Sequence, residues 1–299
     1  MTKKVKLSDH FMKSYDKLYG LNGSVRESYI LSEGPLSVFT QRFGSADPER
    51  TVLLLHGYLD HSGGLSRLIR FFLKHDWNVL TLDLPGHGFS ASVSPPFTAY
   101  EQAAALVWNF WSDKNYTIQH ALGHSTGAAV LFQACMQKSI DPQSLILAAP
   151  LYIPKNWPLL KVPSKAAANY PHSIKRTFRA NSHNREYLAF QRRDPLQMKT
   201  LHTEWTLDLS RWIEKLEAAE KVTVPAVGLF AGKDKTIDGE ASRRFYHQKL
   251  QQFDPVYLPD AGHQIFNETP GIHLAVEQIL HCWLHGRNTG RHMVEYTEV

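Results

Sequence analysis

Leu122-Gly123-His124-Ser125-Thr126-Gly127 sets a serine between two glycines, at the end of an apolar run and the start of a helical one. The pattern G-x-S-x-G suits a sharp turn from strand to helix: side chains at the flanking positions would collide, and glycines leave the serine hydroxyl exposed. Its structural context is what separates such a nucleophile elbow from an ordinary glycine-serine loop. A serine hydroxyl attacks poorly at neutral pH, so it needs a histidine base. That histidine in turn needs a carboxylate to fix its tautomer and support its charge.

On an open parallel sheet these partners follow the serine in the order Asp, then His. Asp234 ends the stretch Phe230-Ala231-Gly232-Lys233-Asp234, just past a strand-like run, and His263 closes Asp260-Ala261-Gly262-His263 after the last such run. Catalytic side chains gather at the carboxyl ends of strands in such sheets, so Ser125, Asp234 and His263 are expected on one edge. The chain has 16 histidines. His56 and His124 lie beside glycines at strand ends and read as residues that orient loops. Asp238, the rival carboxylate, reads as the cap of a helix beginning at Gly239. An oxyanion formed at Ser125 would be held by backbone amides, expected from Thr126 and from Tyr58 in Leu55-His56-Gly57-Tyr58. Asp83 is expected to brace the turn Asp83-Leu84-Pro85-Gly86-His87-Gly88-Phe89-Ser90. This chemistry calls for no metal and no organic cofactor.

The elements that must position these residues alternate along the chain. Ser24 to Leu31 and Leu36 to Phe43 flank Ser32-Glu33-Gly34-Pro35 and read as a hairpin. Thr51 to Leu55, Asn78 to Leu82, Ile118 to Leu122, Ser144 to Ala148, Val224 to Phe230 and Pro255 to Leu258 are short apolar runs without clean alternation, as in strands covered on both faces. Leu65 to Lys74, Tyr100 to Trp111, Gly127 to Lys138, Gly239 to Leu250 and Ile272 to Leu284 space apolar residues three or four apart and read as helices. The expected fold is α/β: a mostly parallel, eight-stranded sheet with helices on both faces.

One interval breaks the alternation. About seventy residues separate the run ending near Pro150 from that near Val224, far beyond an ordinary crossover. The expected organisation is therefore a core over 1–150 and 221–299 with an inserted cap over 151–220. The cap carries Trp157, Tyr170, Phe178, Tyr187, Phe190, Trp205 and Trp212. Between Leu151 and Thr200 ten basic residues (Lys155, Lys161, Lys165, Lys175, Arg176, Arg179, Arg185, Arg192, Arg193 and Lys199) face only Glu186 and Asp194, whereas the whole 299-residue chain has a formal charge of +5. The tail from Gly286 to Val299 is polar and is expected to be poorly ordered.

Composition narrows the class. The opening Met1-Thr2-Lys3-Lys4-Val5-Lys6 is followed by charges rather than an apolar core, so it reads as no secretory signal, and no run is long enough to span a bilayer. Cys135 and Cys282 are the two cysteines, both read as core thiols, in neither a disulfide nor a metal-ligand pattern. A cytoplasmic protein, peripheral on the inner face of the membrane, is the expectation. The basic segment comes with no recognised nucleic-acid motif, which disfavours nucleic acid as partner.

His56-Gly57 with Asp60-His61-Ser62-Gly63, the turn from Asp83 to Ser90, Gly123 to Gly127, Gly232-Lys233-Asp234 with Asp238, and Gly262-His263 with Phe266 and Glu268 together resemble the α/β-hydrolase family. The resemblance is to the branch of monoacylglycerol lipases and bacterial lysophospholipase L2-like enzymes, and it covers most of the chain outside the cap and tail. It implies Ser125 as nucleophile, Asp234 and His263 as its partners, and Tyr58 and Thr126 as oxyanion donors. The chain departs from monoacylglycerol lipases in carrying Tyr58 where they have a small residue. Arg193-Asp194-Pro195-Leu196 resembles the Asp-Pro-Leu turn of the family's caps and is read as structural. An aromatic, cationic cap suits a lipid ester with a negatively charged neighbourhood, so the expected activity is a lysophospholipase releasing a fatty acid, with anionic-membrane contact through the cap. A monoacylglycerol lipase or general carboxylesterase is the alternative if the charges form a solvated face. A non-catalytic hydrolase-like protein binding an anionic surface is the alternative of another class.

Overall fold

The protein is described here by a computed structural model covering residues 3–286 except 23, 25, 46, 91–95, 161–172, 203 and 219. Tyr170, Lys161, Lys165 and the tail after Gly286 therefore lie outside the described residues. The chain opens with β1 (Lys3–Lys6), α1 (Asp9–Tyr19) and the hairpin β2 (Arg26–Glu33) and β3 (Leu36–Phe43). Strand and helix then alternate through β4 (Thr51–Leu55), α2 (Ser66–Lys74), β5 (Asn78–Leu82), α3 (Phe97–Ser112), β6 (Ile118–His124), α4 (Thr126–Met136) and β7 (Ser144–Ala148). Between β7 and the next sheet strand come α5 (Trp157–Leu160), β8 (Ser173–Lys175), α6 (Arg185–Arg193), β9 (Thr200–His202) and α7 (Glu204–Glu217). The chain then closes with β10 (Ala226–Ala231), α8 (Gly239–Lys249), β11 (Phe253–Leu258) and α9 (Pro270–Gly286).

The central sheet has the order β1-β2-β3-β5-β4-β6-β7-β10-β11. Pairing is antiparallel from β1 to β5 and parallel from β5 through β11. It has nine strands among the described residues, one more than the eight expected. The addition is β1, whose Lys3-Lys4-Val5-Lys6 is exposed throughout and so carries no burial signal. Its lysines line an outer edge, where charge discourages pairing with another chain. The strands β4, β5, β7 and β10 are buried at every position, because helices cover both faces.

Helix α4 is buried from Thr126 through Cys135 and so shows no polar face. It lies between the sheet, α3 and the insertion, where the Trp212 indole N–H of α7 donates to the Gln133 side-chain oxygen. Helix α1, not expected from the sequence, buries Met12, Tyr15 and Tyr19 at helical spacing and is capped by Ser8 and by Gly20 at φ 65°. Among the described residues no helix is long and apolar enough to cross a membrane.

Candidate active site

Ser125 links β6 to α4 with φ 54° and ψ −117°, a conformation a side chain adopts only when its surroundings impose it. Its amide donates to Ala148 O at 2.8 Å and its carbonyl accepts from Leu151 N at 3.2 Å, so the end of β7 holds the turn from one side. The flanking glycines hold it from the other. A Cβ on Gly123 would lie 2.4 Å from the Ala128 nitrogen, and one on Gly127 2.4 Å from His56 O, both contacts with backbone that cannot move aside. The hydroxyl therefore stands at the amino end of α4, where unpaired amides and the helix dipole favour negative charge.

Asp234 follows β10 and His263 follows β11, two strands that pair in parallel, so both loops leave the same sheet edge as the Ser125 turn. His263 Nδ1 and Asp234 Oδ2 are hydrogen-bonded at 2.7 Å, and both side chains are buried. The other carboxylate oxygen, Oδ1, accepts from Thr236 N at 2.7 Å and Ile237 N at 3.1 Å. Burial alone would raise the Asp234 pKa. The His263 charge and hydrogen bond, with those two amides, outweigh burial and hold the carboxyl below its usual range. Asp238 lies outside this pair: its side chain accepts from Ala241 N at 2.9 Å and caps α8.

The expected loop-orienting histidines have defined partners. Burial, then the neighbouring His263, push His124 down to about 3, and the neutral ring donates from Nε2 to His263 O at 2.9 Å. Burial likewise pushes His56 down to about 3. Its Nδ1–H donates to Gly57 O at 2.8 Å while Nε2 accepts from Leu84 N at 2.9 Å, joining the loops after β4 and β5. His87, not singled out from sequence, does the same: it is pushed down to about 3 by burial. It accepts from Leu59 N at 3.1 Å. Asp83 braces its turn by accepting from Ser62 N at 2.7 Å and Phe89 N at 2.9 Å. Glu268, fully buried, accepts from Gly262 N at 2.8 Å and from His183 N, fastening the His263 loop to the insertion.

Ser125 and His263 share a cavity of about 460 Å³ with Tyr58 and Thr126. Leu151, Ile174, Leu201 and Ile237 supply aliphatic wall, and Trp157 and Trp205 are the inserted segment's aromatics that line it. Three other aromatics of the insertion do different work. Phe190 packs edge-on to Tyr19 at 5.9 Å, Trp212 lies 4.9 Å from Phe97, and Phe178 lies beneath the Arg176 guanidinium at 4.5 Å. Among the described residues five cationic side chains line the cavity (Lys155, Lys175, Arg176, Arg179 and Lys235), against the single carboxylate of Asp60. Asp60 is already engaged by Gln197 Nε2 at 2.6 Å and His61 N at 2.9 Å. Among the described residues no cluster of metal-ligating side chains is present.

A serine on a strand-to-helix turn and a hydrogen-bonded Asp–His pair, all on one edge of a mostly parallel sheet, define a serine-hydrolase-type α/β hydrolase. The chain belongs to the Hydrolase_4 family (serine aminopeptidase, S33), which matches residues 46–270. It is similar to phospholipase YtpA of Bacillus subtilis, 24% identical over 241 residues that cover 74% of this chain and 90% of that protein. The serine hydrolase-like protein of Mus musculus is 31% identical over 116 residues, covering 35% of this chain, and the chain spans only 34% of that protein's length. Among solved structures, a soluble variant of monoglyceride lipase from Saccharomyces cerevisiae, in complex with a substrate analogue, matches with a TM-score of 0.76 at 19% identity, over 90% of this chain and 97% of that one. At that identity the likeness is one of fold.

Proposed function

We propose that this protein hydrolyses carboxylic esters of lipids, with an anionic lysophospholipid as its substrate and a free fatty acid as its product. In this reading 1–150 and 221–299 form the catalytic core and 151–220 the cap over it. His263 takes the Ser125 proton as the hydroxyl attacks the ester carbonyl, and the Tyr58 and Thr126 amides receive the oxyanion. Asp234 holds the imidazole in the tautomer that leaves Nε2 able to accept, and supports the charge it gains. Collapse of the intermediate expels the alcohol with that proton. Water then attacks the acyl-enzyme by the same route.

The observation that carries the substrate assignment is the lining of the cavity that holds Ser125: aliphatic wall for an acyl chain, and five cations beside it. The YtpA match, to a protein named as a phospholipase, supports the same reading. An aminopeptidase, which the family description names, needs a carboxylate to hold the substrate's ammonium group. The one carboxylate lining this cavity among the described residues, Asp60, accepts from Gln197 and His61 N. Cys135 is buried as expected, whereas Cys282, expected in the core, is exposed on α9. Both are unpaired, which supports a reducing, cytoplasmic setting, and the exposed Lys175, Arg179 and Lys235 suit contact with an anionic membrane face.

The test is fatty-acid release from lysophosphatidylglycerol, lysophosphatidylethanolamine, monoacylglycerol and a short soluble ester in parallel, with Ser125→Ala as control. We expect the anionic lysolipid to lead in kcat/KM by about tenfold, the size of one good charged contact. Preference for the glyceride, as the monoglyceride-lipase fold likeness would favour, or for the short ester would contradict the head-group assignment. Absence of Ser125-dependent release from all four would leave a non-catalytic, surface-binding protein.

A further inference from the structure

The loop carrying the Tyr58 amide is held from outside the core, and every residue from Tyr58 to His61 touches the insertion. The Tyr58 ring stacks on Trp205 at 4.5 Å with an interplanar angle of 18°. Leu59 O accepts from Arg176 Nη1 at 2.8 Å. Asp60 Oδ1 accepts from Gln197 Nε2 at 2.6 Å, and His61 Nε2 donates to Asp194 Oδ2 at 2.9 Å. The contacts are linked, because Arg176 Nη1 also donates to Gln197 Oε1 at 2.8 Å. Gln197 thus bridges the cation on Leu59 O and the carboxylate of Asp60, closing a ring of hydrogen bonds through the loop backbone.

The loop needs this support. Leu59 sits at φ 69°, in the left-handed region that a leucine does not choose. Asp60 and His61 are buried, and a shift of the insertion takes the Gln197 amide from one and the Asp194 carboxylate from the other. On the core side the Leu59 amide donates to His87 Nε2 at 3.1 Å, the Tyr58 ring lies edge-on to His87 at 5.3 Å, and Ser62 N donates to Asp83 Oδ1 at 2.7 Å. The Leu59 carbonyl and, through the Gln197 amide, the Asp60 carboxylate are held by the insertion.

We infer that the insertion clamps the oxyanion loop, with Gln197 and Asp194 as positioning residues that set the direction of the Tyr58 amide toward Ser125. This rests on the proposed reading of Ser125 and Tyr58 and adds its regulation: whatever moves the insertion alters transition-state binding as well as access. Neither Gln197 nor Asp194 lines the cavity, so neither meets substrate.

The experiment uses the full chain and a short-chain p-nitrophenyl ester, too small to need the acyl wall. Gln197→Met removes the bridge at similar volume, and Gln197→Asn, which keeps the amide but shortens its reach, replaces it if the first is not recovered folded. Loss of one oxyanion donor costs a hundredfold or more, so a donor tilted out of line is expected to lower kcat about tenfold with KM changed less than about twofold. Affinity for an alkyl trifluoromethyl ketone, whose hemiketal on Ser125 places an oxygen anion in the same position, falls by the same factor. An unchanged kcat in folded variant, a rise in KM alone, or a fall in kcat with undiminished ketone affinity overturns the clamp. If wild-type turnover is absent or survives Ser125→Ala, the reading of the site falls first and the clamp with it, an outcome the Gln197 variants do not produce.

Discussion

Ser125 owes its position to neighbours rather than to its own preference. Its backbone at φ 54° is stabilised by bonds to Ala148 and Leu151 and by the absence of side chains at Gly123 and Gly127. These residues were legible in the sequence because glycines at fixed offsets declare a turn that no other residue fits. Asp234 and His263 were legible from chain order and from their places after strands. Their expected weights differ from that of Asp238. Ser125→Ala or His263→Ala should lower kcat by four to six orders of magnitude, on the order seen in serine-triad enzymes, and Asp234→Asn by about 10⁴. Asp238→Ala should leave kcat near wild type and cost about 1 kcal/mol of stability as a lost helix cap, measured by denaturant unfolding. Equal losses of kcat in folded Asp234→Asn and Asp238→Ala would contradict the assignment. His87 and Glu268 were harder to assign, since their partners Leu59 and Gly262 are fixed only once the loops come together.

At the scale of elements, the inner parallel strands were read correctly because burial on both faces leaves continuous apolar runs such as Thr51 to Leu55. By contrast β11, expected to be covered on both faces, lies at the sheet edge with Asp254, Pro255 and Tyr257 exposed. β1 went unread because its lysines leave no burial signal, and α1 went unread despite Met12, Tyr15 and Tyr19 at helical spacing. The attachment of the insertion was illegible for a different reason. Asp194 accepts from Tyr19 Oη at 2.6 Å and from His61 Nε2 at 2.9 Å, partners far away along the chain. The Asp-Pro-Leu turn marks a structural residue without naming what it meets. His61 Nδ1 accepts from Gly63 N at 3.1 Å, so the ring carries its proton on Nε2 and presents it to Asp194. Burial would raise the Asp194 pKa, but the hydrogen bonds from His61, Tyr19 and Leu196 N lower it overall. A carboxyl whose folded pKa is depressed contributes stability above its unfolded value, near pH 4, and loses that contribution as pH falls through the folded value. Asp194→Asn should therefore be less stable than wild type at pH 7 by on the order of 2 kcal/mol, and the gap should close below about pH 4. Thermal unfolding across pH 3 to 8 checks this, and a gap independent of pH would contradict it.

For the whole molecule, two parts with different charge meet over one cavity. The sheet and its helices supply the serine, the Asp–His pair and the amides, and the insertion supplies cations, two aromatic walls and the ties to the loop over 58–61. Charge was legible as an uneven distribution along the chain, but its use was not. Arg176 is turned onto Leu59 O, Gln197 and Met198 O, and Lys155 onto Asp234 O. Among the described residues that leaves Lys175, Arg179 and Lys235 as the exposed cations of the cavity lining. The central claim is that this assembly activates Ser125. Its most direct test is covalent capture by a fluorophosphonate probe, with the labelled residue located by peptide mass spectrometry. The account predicts stoichiometric labelling on Ser125, abolished in Ser125→Ala and slowed by at least a hundredfold in His263→Ala, because the probe requires a deprotonated serine and an oxyanion site. Folded wild-type protein that stays unlabelled, or labelling that persists in Ser125→Ala, would contradict it.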